Sequence, residues 1–122
     1  MKRLPLALVL AALWFEGAAA KDLDGTWLRD DGNARVRIAP CGDKICATNL
    51  WIGDSSKGEA AGDKLVMTLA RQPDGTFSGS AYDAKRDWTY SMTITAKPGA
   101  LTTRGCIAAK LICRDVTWKA VE

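Results

Sequence analysis

Residues 88–96 alternate without a break. Trp88, Tyr90, Met92 and Ile94 fall on one side of an extended chain, and Thr89, Ser91, Thr93 and Thr95 fall on the other. A period of two marks a strand with one face buried and one face wet, and a helix would scatter the same apolar set around its surface. The pattern recurs. Val36 and Ile38 oppose Arg35 and Arg37, Leu65, Met67 and Leu69 share a side, and Ile112, Arg114, Val116 and Trp118 share another. Strands are expected at 26–29, 34–39, 45–52, 64–70, 76–82, 88–96, 100–107 and 111–119. Turn clusters such as Asp30-Asp31-Gly32-Asn33, Pro73-Asp74-Gly75 and Lys97-Pro98-Gly99 separate them.

Eight short strands joined mostly by tight turns, with no segment of helical period, make an all-β protein. In simple up-and-down order they close into an eight-stranded antiparallel barrel, which leaves no exposed sheet edge to pair with another chain. The long connection is 53–63, rich in Gly, Ser and charge; a structureless loop of that length is either functional or mobile.

Residues 1–20 read as a signal peptide. Lys2 and Arg3 precede an apolar run, and Ala18-Ala19-Ala20 fits the cleavage rule, with the cut after Ala20. The apolar run is too short to span a bilayer. Residues 21–122 then form a single domain in the periplasm, expected to be a monomer. Cys41, Cys46, Cys106 and Cys113 are an even set in an exported chain, which points to two structural disulfides. Of the three connectivities, Cys41–Cys46 and Cys106–Cys113 are favoured, because each pair flanks a turn between adjacent strands. The C-x4-C and C-x6-C spacings do not match a zinc site.

Histidine is absent, which removes Ser-His and Cys-His nucleophile pairs and His-containing metal sites. Without Lys2, Arg3 and Glu16 the mature chain keeps 15 of its 17 basic and 13 of its 14 acidic residues. That balance is wrong for a nucleic-acid binder. Gly53-Asp54-Ser55-Ser56-Lys57-Gly58 has its lysine before the second glycine and no helix after it, so it is not a phosphate loop. Neither a cofactor nor a metal is expected. Asp30 with Asp31 and Asp83 with Asp87 have the proximity of a glycosidase pair or a calcium site. All four sit in turns, where aspartate caps the backbone.

Gly25-Thr26-Trp27 is a G-x-W, as found at the opening of lipocalin-like and streptavidin-like barrels. Three further segments accompany it: residues 36–46, with Pro40-Cys41-Gly42-Asp43-Lys44-Ile45-Cys46; Gly79-Ser80-Ala81-Tyr82-Asp83; and Thr103-Arg104-Gly105-Cys106-Ile107 leading to Leu111-Ile112-Cys113-Arg114 and Thr117-Trp118. Together they resemble the bacterial exported family called domain of unknown function 2147, over residues 24–121. The resemblance implies a small lipocalin-like periplasmic barrel and no particular activity. Typical members carry an Asn-Pro stretch and an Arg-x-Arg-Pro-Leu-x-Gly run after the third strand; 53–63 stands in their place here.

Trp27, Trp88, Tyr90 and Arg114 are the candidate ligand-binding residues. Arg114 has two roles open to it. It could pack over Trp27 as a structural lock, as a last-strand arginine does in lipocalin-like barrels, or bind a carboxylate head group inside the barrel. The facing of Arg104 is left open by its phase. Trp27, Trp51, Phe77, Tyr82, Trp88, Tyr90 and Trp118 are bulky enough to leave the interior mostly filled, with a shallow cup at one end. The expected function is a non-catalytic binding module for a small apolar or amphipathic ligand. The alternative is a protein-interaction module, such as a hydrolase inhibitor or envelope-stress partner acting through 53–63. A cavity above about 300 Å³ favours the ligand; a filled barrel with an exposed apolar surface favours the partner.

Overall fold

Each run of alternating residues becomes a strand: β1 Gly25–Arg29, β2 Ala34–Cys41, β3 Lys44–Ile52, β4 Lys64–Arg71, β5 Phe77–Asp83, β6 Trp88–Lys97, β7 Ala100–Ile107 and β8 Ile112–Val121. The computed structural model describes residues 21–121, so the expected signal peptide lies outside the described residues. Every strand pairs antiparallel with the next, and β8 returns to β1 through Thr26↔Val121 to Arg29↔Trp118, closing the barrel. Among the described residues no helix is long and apolar enough to cross a membrane.

Both disulfides follow the expected local pairing. Cys41–Cys46 bridges β2 and β3, and Cys106–Cys113 joins directly opposed residues of β7 and β8. Cross-links over such short loops stabilise the fold by about 2 kcal/mol each.

The barrel has two unlike ends. At one end lie the 41–44, 71–77 and 97–100 turns and the segment before β1. Leu23, Phe77, Ile94 and Leu101 are fully buried there and form a floor. Trp27 lies over Gly25, where a Cβ would come within 3.4 Å of the indole, and its Nε1 donates to the Leu23 carbonyl at 3.1 Å. This is the physical content of the G-x-W: the glycine makes room for the ring, and the ring fastens the entering chain.

Arg114 does not lock Trp27. Trp27 pairs with Ala120, six residues further along β8, which is about 20 Å of strand. The arginine at the floor is Arg71 of β4, which sits 4.7 Å from the centre of the Phe77 ring and forms an ion pair with Asp22. β3 departs from strict alternation. Register slips between Arg35 and Val36, whose partners are Trp51 and Asn49, so Leu50 is left unpaired as a bulge. Leu50 and Trp51 both face outward, and Arg35 lies over the Trp51 ring at 6.0 Å. Only at Gly79, where a Cβ would fall 1.9 Å from the Thr68 carbonyl oxygen, does a glycine let β5 pass this close to β4.

Candidate functional site

The inward-facing residues above the floor do not meet. They enclose a cavity of about 700 Å³, open at the end opposite Leu23. The expectation of a mostly filled interior was wrong, because several inward positions carry small side chains. Ala47 of β3, Thr103 and Gly105 of β7 and Val116 of β8 line the wall, and a Cβ at Gly105 would approach only Met92 Cε, at 3.7 Å. Trp51 and Tyr82, counted as filling, face outward.

The lower wall is apolar: Trp27, Val36, Ile38, Met67, Met92, Ile94, Val116 and Trp118. The Trp118 indole donates to Thr103 Oγ1 at 3.0 Å, which satisfies its one polar atom and leaves its ring to the cavity. Higher up, the lining turns charged within a few residues. Arg29 follows Trp27 by two, so the same phase that buries the indole turns the guanidinium inward. It forms a forked pair with Glu59 at 2.6 and 3.0 Å and contacts Asp31 at 3.0 Å. These bonds hold the Glu59 and Asp31 carboxyls below their ordinary range and push Arg29 up. The field of Arg114 adds to the lowering of both carboxyls.

Glu59 belongs to the 53–63 loop, which straps across the mouth. Its start is tied to the β1–β2 turn: Asp54 N donates to Asn33 Oδ1 at 2.7 Å, and Asn33 Nδ2 donates to the Asp54 carbonyl. Its middle is tied to the β5–β6 turn, where Lys85 Nζ and Arg86 Nη2 both donate to the Gly58 carbonyl. Lys85 also pairs with Asp63 at 3.1 Å. Asp83, buried at the mouth, accepts from the backbone N–H groups of Lys85 and Arg86 and pairs with the Arg86 guanidinium at 2.7 Å. Asp31 accepts from Asn33 N in the same manner. Asp31 and Asp83 therefore cap turns. Among the described residues no three His, Cys, Asp or Glu side chains group to hold a metal.

Of the four residues singled out in the sequence, Trp27, Tyr90 and Arg114 line the cavity. Trp88 does not. It stands half exposed above the rim, edge-to-face with Tyr90 at a centroid distance of 6.3 Å. Arg104 faces outward, paired with Asp115 at 3.0 Å. Arg114 makes no ion pair among the described residues, although it sits in the mouth beside the Arg29 cluster. The sequence reading passed over Arg29 and Glu59. Period two from Trp27 was a signal for Arg29; Glu59 gave none, since a loop has no period.

A family model described as an uncharacterised protein conserved in bacteria, domain of unknown function 2147, matches residues 25–120. No curated protein and no solved structure matches the chain significantly.

Proposed function

This chain belongs to the family of domain of unknown function 2147, and on that premise we propose that it is a non-catalytic periplasmic carrier of a small amphipathic molecule. The ligand's apolar part lies in the barrel and its polar head meets the mouth. The observation that carries this reading is the open cavity of about 700 Å³ with an apolar lower wall and a charged rim. Its volume is that of small-molecule sites in general, which combine mostly apolar walls with a few placed polar groups. Arg114 is the head-group residue. Its guanidinium makes no ion pair among the described residues, and a planar fork suits a carboxylate.

A carrier rather than an enzyme is supported by the state of the ionisable groups. Arg29 holds the Asp31 and Glu59 carboxyls in their charged form, whereas a general acid needs its pKa raised toward the working pH. All four cysteines are in disulfides, which agrees with an oxidising, exported environment.

A soluble fluorescent fatty-acid probe tests the reading. The mature protein should bind it and brighten it. Gly105→Leu, which places a side chain in the cavity from a position with room for its Cβ, should weaken binding about tenfold or more with an unchanged melting temperature. A wild-type protein that leaves the probe in water, or a Gly105→Leu protein that binds it equally well, would sink the proposal.

A further inference from the structure

Three large apolar side chains stand in water on one side of the mouth: Leu111 is 84% exposed, Ile112 61% and Trp88 52%. The strand registers bring them together. β6 and β7 pair up to Ser91↔Cys106, and β7 and β8 pair up to Ile107↔Ile112. The 108–111 turn therefore runs on past the barrel alongside the start of β6. Trp88 extends the inward series of Tyr90, Met92 and Ile94 by one step, and Ile112 does the same for Arg114, Val116 and Trp118. Along β6 the apolar lining does not stop at the rim but continues out of it, and with Ile112 and Leu111 it forms a lip.

The lip is held in shape. Ala108, Ala109 and Lys110 all have left-handed backbone, at φ 53, 55 and 71°, a sparsely allowed region for residues with a Cβ. The Cys106–Cys113 disulfide clamps the hairpin just below them. The tip thus presents Leu111 outward on a fixed frame.

Two cations beside it are without an ion pair among the described residues. These are Lys110 and Arg114, which flank the lip, whereas Lys85 and Arg86 are occupied by Asp63 and Asp83. Asp115 is occupied by Arg104.

We propose that this lip docks the mouth of the barrel onto an anionic lipid surface. Leu111, Ile112 and Trp88 enter the boundary between head groups and acyl chains, and Lys110 meets lipid phosphates. A few apolar side chains give weak, reversible attachment, and basic neighbours add to it on an anionic surface. The choice of a lipid over a protein rests on the carrier reading: a ligand apolar enough to fill the cavity resides in lipid, and the lip joins that source to the cavity through Trp88, Tyr90 and Met92 of β6.

Co-sedimentation of the mature protein with vesicles tests the docking. Binding is expected to phosphatidylcholine mixed with phosphatidylglycerol, weaker to phosphatidylcholine alone, and reduced by salt. The double variant Leu111→Asp, Ile112→Asp should lower partitioning about tenfold or more, and Lys110→Glu several-fold. Both variants should still take up the soluble fatty-acid probe in vesicle-free solution, since neither changes a residue of the cavity wall. A wild-type protein that sediments with neither vesicle, or variants that sediment like wild type, would overturn the docking. So would a wild-type dimer that the double variant dissociates without any vesicle binding. Vesicle binding lost in the variants, by a wild-type protein that ignores the soluble probe, would keep the docking and remove the carrier reading.

Discussion

The floor and the mouth of this barrel are built from the same alternating strands, yet they solve opposite problems. At the floor, Leu23, Phe77, Ile94 and Leu101 are fully buried, and Arg71 lies over an aromatic ring and is paired with Asp22. At the mouth the walls stay apart. Charged side chains tie the strap to the rim, from Arg29 to Glu59 and Lys85 to Asp63, and Arg86 pairs with Asp83 within its own turn. Burial makes the floor a source of stability. At the mouth the ion pairs are partly solvated, so they contribute little to folding and instead fix the shape of an opening. The difference predicts that substitutions at the two ends separate stability from binding.

The largest effect belongs to the floor. Phe77→Ala removes a fully buried aromatic and the ring beneath Arg71, and should cost about 3–5 kcal/mol, read as a lower midpoint in denaturant unfolding. A loss below about 1 kcal/mol would mean that the floor collapses to fill the gap, and that the two ends differ less than their packing indicates.

The floor was also the part least legible in detail. Period two assigned the inward faces of β4, β6 and β8 correctly, because side-chain direction in a strand is a local property of the chain. It gave no barrel width, which depends on how far opposite walls stand apart and on small residues such as Ala47 and Gly105. The arginine at the floor was mistaken for the same reason. Arg114 has the right phase but the wrong height, and height is set by the β1–β8 register, which is a long-range pairing. The bulge at Leu50 had no distinct local sign, since Ile45, Cys46 and Ala47 are apolar in succession just as Leu50, Trp51 and Ile52 are. The mouth was half legible. Its cations fall in phase with the core, whereas the loop residue Glu59 that meets them is brought there only by the fold.

A matched pair of arginines sharpens the comparison at intermediate effect. Arg114→Ala should leave the melting temperature within the range of ordinary surface substitutions, about 0.5 kcal/mol. It should weaken binding of a carboxylate probe about tenfold while sparing the corresponding alcohol. Arg71→Ala should do the reverse, lowering the melting temperature and leaving the preference between the two probes unchanged. Equal loss of stability from both would return Arg114 to a structural role.

The smallest effect tests the strap. Glu59 is held in its charged form chiefly by the hydrogen bonds from Arg29, which lower its pKa from the ordinary 4.5. A carboxyl whose folded pKa lies below its unfolded one stabilises the protein above the unfolded value, and that contribution fades as pH falls through the folded value. Glu59→Gln should therefore cost at most about 1 kcal/mol at neutral pH, since the carboxylate is partly solvated. The gap in melting temperature between wild type and variant should narrow once pH drops below the ordinary carboxylate range. Asp31 is held by the same guanidinium, so Arg29 keeps one partner in the variant and the mouth stays neutralised on that side. A gap that stays constant into acid would show that Glu59 acts through packing. The mouth would then resemble the floor in kind, and the opening would be held by shape and not by charge.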